Sequence, residues 1–380
     1  MRACRTYYCS TKCQSAHKKI HDGVCINMNI RKELLRSGEL LKTIFFQLRK
    51  ATYDIKVRAV GKNEQGTILV FEDEYAANYG DGPLYPFPRA FADGSNEERA
   101  LLAYLSCSDI FIFLDELSKS LLGGITTVMQ EADFGFDQDR FLVRRISPYG
   151  RAEDHSRYMH SALAIEAKDG EAYIVDVSGA QYGQHQTVVP FGQYMSDFAT
   201  KIIKITSHGH MALKARAVHE GYRDRPVDIS AWMSGTAGNF DYRPLQMQYK
   251  VKERILAAVK EWEMLNNLTL HDLLGCDQER FEACKSSLLA KTDDDVRSFL
   301  AKWEEDGCKL EPRVRKEDEE APSWVQDLRM DEDDENIPQM SELEEQSRAS
   351  QRYSDDKKAE CSALLASRFG QQYANFFKGL

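Results

Sequence analysis

Apolar residues at helical spacing mark two parts of the chain as helical. The first is about Ile30 to Ala51, where the spacing predicts a helix with one apolar face. The residues of this face are Leu34, Leu35, Leu41, Ile44, Phe45 and Leu48. The second begins after Pro244, and short helices are expected to follow it to about Glu305. Its apolar face consists of Val251, Ile255, Ala258, Val259 and Trp262.

Alternation of apolar and polar residues predicts two β-hairpins between these helical parts. Residues 55–59 and 67–71 form one candidate pair, with a polar turn between them. Residues 161–167 and 172–177 form the clearer pair, because Lys168-Asp169-Gly170 is a good turn sequence. Both hairpins lie in the central part of the chain, which therefore contains at least some sheet.

A capping box adds a further helix before the second hairpin. In Ser95-x-x-Glu98 each side chain can bond the backbone N–H of the other residue, and we expect the helix to run through Leu105 and beyond. Helices and hairpins together predict an α+β fold. We expect a mixed globular domain over 53–305, preceded by a spacer helix over 28–52.

Composition and charge narrow the classes of function. The chain has 380 residues, of which 42% are hydrophobic, enough for one large core or two smaller ones. Residues 1–50 carry 11 Lys and Arg against 3 Asp and Glu, although the net charge of the whole chain is -10. Few aromatic residues are interleaved with these basic residues as platforms for base stacking, so we do not expect a nucleic-acid partner.

The C-terminal part is strongly acidic. Residues 301–360 contain 20 acidic and 10 basic side chains. Such a segment repels itself and buries little apolar surface, so we expect a disordered linker over 306–356. Apolar residues at helical spacing then predict a C-terminal helix over 357–380.

The cysteines and the absence of long apolar runs indicate an intracellular protein. No apolar run has the length of a membrane span, and the start of the chain does not resemble a secretory leader. Four of the nine cysteines lie in the first 25 residues, and the others are scattered, which favours a reducing compartment. We therefore expect the cytosol or the nucleus. The scattered cysteines are Cys107, Cys276, Cys284, Cys308 and Cys361.

The first 25 residues contain five candidate zinc ligands at close spacing. They are Cys4, Cys9, Cys13, His21 and Cys25. Thiolate sulfur and imidazole nitrogen are the donors that tetrahedral Zn²⁺ prefers, and so small a unit needs a metal to join its turns. The spacing therefore predicts bound Zn²⁺ as a part of the fold.

The residues around these ligands resemble the second half of a MYND-type zinc finger. The resemblance covers about residues 1–27 and rests on Tyr7-Tyr8-Cys9-Ser10-x-x-Cys13-Gln14, followed by His21 and Cys25. In that family seven cysteines and one histidine hold two zinc ions. The resemblance implies that Cys4, His21 and Cys25 are three of the four ligands of one ion, and that Cys9 and Cys13 are two ligands of the other.

The family's first three cysteines have no counterpart in this chain. The third would fall at Met1, so either the sequence begins at an internal methionine or the finger is degenerate. The resemblance implies a protein–protein interaction module, an adaptor or regulator that captures a short peptide of a protein partner. The residues expected to contact this partner are Tyr7, Tyr8 and Gln14.

A second constellation offers an alternative function. His160 precedes one strand of the clearer hairpin and Asp176 lies near the end of the other, so the carboxylate can orient the imidazole. With Cys107 as nucleophile, this order resembles transglutaminase-like and papain-like cysteine hydrolases, here expected in a degenerate form. The expected helix argues against a reactive thiol at Cys107, unless that helix ends near Ser106.

Overall fold

The structure is a computed structural model, and it describes most of the chain. The described residues are 10–73, 84–88, 94–137, 140–152, 159–222, 243–307, 309–310 and 322–325. Within them, the side chains of residues 13, 14 and 16–23 are not described. The predicted linker over 306–356 and the predicted helix over 357–380 lie almost entirely outside this part.

The described residues form nine α-helices and eight strands. The helices are α1 (Thr11–Ala51), α2 (Asn96–Ala103), α3 (Asp109–Phe113), α4 (Asp115–Leu122), α5 (Phe191–Asp197), α6 (His210–His219), α7 (Arg243–Asn266), α8 (Leu270–Gly275) and α9 (Gln278–Glu305). The strands are β1 (Val57–Lys62), β2 (Ile68–Glu72), β3 (Thr126–Phe136), β4 (Val143–Ile146), β5 (His160–Ala167), β6 (Ala172–Val175), β7 (Val188–Pro190) and β8 (Ala199–Ser207). None of these helices combines the length and the apolar character that a membrane span requires.

The strands form two sheets, so the fold is α+β. One sheet has the order β1-β2-β4, and the other has the order β7-β6-β5-β3-β8 with antiparallel neighbours throughout. Both predicted hairpins are confirmed, because β1 pairs with β2 and β5 pairs with β6, each antiparallel. The second hairpin lies inside the larger sheet, with β3 on one side and β7 on the other.

Helix α1 begins much earlier than expected and is a core helix, which differs from the predicted spacer. It starts at Thr11, and from Leu34 onward its apolar face lies in the largest hydrophobic core together with residues of α3, α4, α7, α8 and α9. Leu35, expected on that face, is 57% exposed, and Leu40 is buried there instead. A Cβ added at Gly38 would lie 2.5 Å from Val188 Cγ2, so glycine permits close packing of α1 on β7.

The helical part after Pro244 follows the prediction in its first member and differs after it. The predicted apolar face of α7 is buried, from Val251 to Trp262. In place of several short helices, α7 is followed by the short α8 and then by the 28-residue α9. The side chains of Thr269 and Asp277 cap these two helices by accepting hydrogen bonds from backbone N–H groups.

The helix that starts at the capping box is shorter than expected. Ser95 accepts a hydrogen bond from the Glu98 N–H, but α2 ends at Ala103 and α3 begins at Asp109. Between them Leu105 has a φ of 54°, a left-handed conformation that ends a helix. Cys107 therefore lies in a tight connection between two helices, outside either of them.

Candidate active site

The β5–β6 hairpin brings His160 and Asp176 together. His160 is the first residue of β5 and Asp176 directly follows β6. The distance between His160 Nε2 and Asp176 Oδ2 is 2.8 Å, and both side chains are buried. The sequence suggested this pairing from the hairpin alone, and the antiparallel register provides it.

The connection between α2 and α3 carries Cys107 to the same imidazole. Cys107 is half-buried, and its Sγ lies 3.8 Å from the carbonyl oxygen of Met159, the residue before His160. The thiol is close enough to the imidazole to raise the His160 pKa. Because Nε2 is bonded to Asp176, and Nδ1 is buried without a regular hydrogen bond to the described residues, Nδ1 is the nitrogen left for the thiol.

The electrostatics of this cluster favour a protonated imidazole. Burial lowers the pKa of His160, but the Asp176 carboxylate and the Cys107 side chain outweigh it and raise the pKa to about 10. At neutral pH the ring is therefore an imidazolium, and it donates its Nε2 proton to Asp176. A cation beside a thiol stabilises the thiolate, which is the nucleophilic form.

Besides His160, two further groups hold Asp176. Its Oδ1 accepts a hydrogen bond of 3.0 Å from the Ser178 N–H, and its Oδ2 accepts one of 2.9 Å from the Tyr194 hydroxyl. A Cβ at Gly179 would lie 2.6 Å from Oδ2, so this close approach requires glycine. These contacts fix the carboxylate in the orientation that the imidazole uses.

Aromatic rings surround the histidine and exclude water from it. The ring centroids of Phe136 and Tyr182 lie 5.0 and 4.8 Å from that of His160. Burial raises the pKa values of Tyr182 and Tyr194 well above the usual value, so both hydroxyls stay protonated. These rings come from β3, α5 and the 3-10 turn that ends at Tyr182, and no recognisable spacing in the sequence connects them.

A buried ion pair holds together the two helix ends that flank Cys107. Arg49, near the end of α1, donates from Nη1 to Asp109 Oδ2 at 3.0 Å and from Nε to the Leu102 carbonyl at 3.2 Å. Asp109 is the first residue of α3, and Leu102 is near the end of α2. The guanidinium thus joins the two helix ends that flank Cys107. Arg49 and Asp109 are 60 positions apart, and no pattern in the sequence predicted their contact.

The predicted zinc ligands are only partly described. Cys4, Tyr7, Tyr8 and Cys9 lie outside the described residues, and Cys13, Gln14 and His21 are described only as backbone of α1. Cys25 is half-buried on the same helix. Among the described side chains, no group of three or more His, Cys, Asp or Glu residues is arranged to hold a metal ion.

The helical backbone limits which of the candidate ligands can bind the same zinc ion. His21 and Cys25 are four residues apart, so they lie on one face of α1, one turn from each other. Cys13 is eight residues before His21, about 12 Å along the helix axis. A tetrahedral zinc ion with bonds of about 2.3 Å to sulfur cannot span that distance. Cys13 on this helix therefore cannot share one zinc ion with His21, which fits the assignment of Cys13 and His21 to two different ions.

No protein-family model, no curated protein and no solved structure matches this chain.

Proposed function

We propose that this chain is a cysteine-dependent acyl-transfer enzyme, a hydrolase or transferase, with Cys107 as nucleophile. The observation that carries the proposal is the buried His160–Asp176 hydrogen bond of 2.8 Å, with the Cys107 thiol beside the same imidazole. A thiol beside a base that a carboxylate orients is what covalent catalysis by cysteine needs. The position of Cys107 outside a helix removes the argument against a reactive thiol.

The chemistry proceeds in two steps. The Cys107 thiolate attacks the carbonyl carbon of an amide or ester, and the His160 imidazolium gives its Nδ1 proton to the departing amine or alcohol. This leaves a thioester on Cys107 and a neutral imidazole. The imidazole then takes a proton from water or from an acceptor amine, which attacks the thioester. The product is a carboxylic acid or a new amide, and the thiolate–imidazolium pair is restored.

The backbone next to the nucleophile offers stabilisation for the oxyanion. The N–H of Cys107 donates to no acceptor within the described part of the chain. An N–H group beside the attacking sulfur is suitably located to bond the oxygen that becomes negative in the tetrahedral intermediate. Asp176 does no proton transfer in this scheme, since it only orients and stabilises the imidazolium.

The experiment is selective alkylation of the native protein at pH 6 with iodoacetamide, with the labelled residue identified by mass spectrometry. A free cysteine, with a pKa of about 8.5, reacts slowly at this pH because little thiolate is present. We expect Cys107 to be labelled first, and Cys107→Ala to abolish the fast phase. Cys276 and Cys284 are also half-buried, so Cys284→Ala is the matched control and should retain it. Equal, slow labelling of all three residues would contradict the proposal.

We also propose that the N-terminal segment is a zinc-binding interaction module of the MYND type. The location of His21 and Cys25 one turn apart on α1 supports it, because this spacing suits two ligands of one ion. Cys4 would be the third ligand, and Cys9 and Cys13 would belong to a second site. Zinc would join the segment before α1 to the helix, and Tyr7, Tyr8 and Gln14 would contact a short peptide of a partner.

Native mass spectrometry with elemental analysis tests this module. The protein should be purified reduced and without oxygen, and the unmodified chain should be compared with Cys25→Ser. We expect stoichiometric zinc in the former and its loss in the latter. An unmodified chain free of zinc would overturn the proposal, whereas zinc retained by Cys25→Ser would remove Cys25 from the ligand set.

A further inference from the structure

A buried glutamine joins the two loops that carry the catalytic residues. Gln181 lies in a 3-10 turn (Gly179–Tyr182), and only 1% of its surface is exposed. Its Oε1 accepts a hydrogen bond of 3.2 Å from the Leu105 N–H, and its Nε2 donates one of 3.2 Å to the Ser178 carbonyl oxygen. Leu105 comes two residues before Cys107, and Ser178 comes two residues after Asp176.

The loop before the nucleophile depends on this contact. Leu105 is one of the described residues other than glycine with a positive φ, a conformation that a branched side chain adopts only when its surroundings impose it. The next residue, Ser106, donates its N–H to the Ala103 carbonyl and its hydroxyl to the Leu102 carbonyl, which folds the loop back on the end of α2. Gln181 supplies the acceptor that holds the N–H of Leu105 in this turn.

The loop after the carboxylate depends on the same side chain. Ser178, whose carbonyl oxygen accepts from Gln181 Nε2, donates its own N–H to Asp176 Oδ1. One amide group therefore links the Cys107 loop to the Asp176 loop, through one main-chain contact on each side. The backbone of Gln181 is also fixed, since its carbonyl oxygen accepts from the Leu142 N–H at 2.8 Å.

We propose that Gln181 is a positioning residue, which sets the distance between the Cys107 thiol and the His160 imidazole. The inference rests on the proposed function, because it concerns how the nucleophile of that reaction is held. Without the amide, the Leu105 N–H loses its buried acceptor and the loop relaxes. The thiol then moves away from the imidazolium and behaves like an ordinary cysteine. Gln181 itself touches neither substrate nor reacting atoms in the proposed chemistry.

The test compares Gln181→Met with Gln184→Met. Gln184 is a buried glutamine of the same segment, and its Oε1 accepts from the Gln186 N–H at 2.9 Å without a bond to the nucleophile loop. The rate of Cys107 alkylation by iodoacetamide is measured from pH 5 to pH 9. For Gln181→Met we expect alkylation at least about 10-fold slower at pH 6 and similar at pH 9, because a thiol moved away from the imidazolium loses the cation that stabilises its thiolate. Gln184→Met should keep the profile of the unmodified chain.

The outcomes separate this inference from the proposed function. Slow alkylation of the unmodified chain at pH 6 would contradict the catalytic proposal itself. Fast alkylation of the unmodified chain and an unchanged pH profile in Gln181→Met would overturn the positioning role, whatever the loss of stability. If Gln181→Met does not fold, Gln181→Asn replaces it, since the shorter amide cannot reach both Leu105 and Ser178. The same loss at pH 6 supports the inference, and an unchanged profile overturns it.

Discussion

The two candidate sites lie at opposite ends of helix α1 and are held in different ways. Among the described side chains in the first half of α1, Val24 and Met28 are 53% and 65% exposed. The second half is packed in the main core, where Leu40, Leu41 and Ile44 are fully buried. We propose that a metal fixes the ligands in the first half, whereas the paired strands β5 and β6 place His160 beside Asp176.

Arg49 links helix α1 to the connection that carries Cys107. It lies on the last turns of α1, and its buried guanidinium bonds Asp109 at the start of α3, two residues after Cys107. Substitutions at Arg49, in the His160–Asp176 pair and at the candidate zinc ligands therefore test whether the two sites are held independently.

The largest effect is expected for Arg49→Met. Removing the guanidinium takes the donor from the Leu102 carbonyl and from Asp109, whose pKa burial already raises to about 7, and buried polar groups left unpaired typically cost about 1–3 kcal/mol each. Urea denaturation should record this loss. The control is Arg31→Met, which also removes an arginine of α1 from an ion pair with an aspartate, Asp169. Arg31 is exposed, and although the Asp169 side chain is covered it keeps hydrogen bonds from the Glu171 N–H and the Tyr173 hydroxyl, so we expect a loss of about 1 kcal/mol. Equal losses would contradict a structural role of the buried pair.

Asp176→Asn should have the next largest effect, on reactivity. Without the carboxylate, burial lowers the His160 pKa with less opposition, so less imidazolium is present to stabilise the thiolate. We expect Cys107 alkylation at pH 6 to fall about 100-fold, in line with the large losses that follow replacement of a triad aspartate. Zinc content should not change. Asp169→Asn, in the turn of the same hairpin, is the control and should react like the unmodified chain.

The elements that sequence predicted well are those set by local pattern. Both hairpins follow from alternation and turn residues, and α7 follows from its apolar periodicity. The proximity of His160 and Asp176 also follows, because adjacent antiparallel strands bring the start of one next to the end of the other.

The elements that sequence did not predict depend on distant contacts. No glycine or proline marks the end of α2 at Ala103. The loop that follows is held by Gln181, which lies 76 positions away from Leu105 and therefore leaves no local signal. The early start of α1 was missed for a different reason, since its first turns have no apolar face that would reveal a helix. Arg49, Tyr194 and Gln181 belong to the candidate site only through packing.

A smaller effect is expected in the dependence of stability on pH. His160 has a folded pKa of about 10, above the value of about 6.5 in an unfolded chain. Its contribution to stability is therefore fully present below pH 6.5, and it is lost as the pH rises through 10. Urea denaturation of the unmodified chain should show stability falling between about pH 8.5 and pH 10, where an unfolded cysteine has already lost its proton and the folded imidazolium still holds one. His160→Gln should lack this part of the slope, and equal slopes in both proteins would contradict an imidazolium at neutral pH.

The smallest effect on the central site is expected for Cys25→Ser. If zinc binds as proposed, this substitution removes it, yet the core contacts of α1 from Leu34 onward hold Arg49 in place without the metal. Cys107 alkylation at pH 6 should stay within about twofold of the unmodified chain, as for substitutions distant from a site. Elemental analysis and alkylation rates on the same samples provide the measurement. A parallel loss of zinc and of Cys107 reactivity would mean that α1 transmits metal binding to the nucleophile loop. In that case the two sites would form one functional unit, and Arg49→Met should break their coupling.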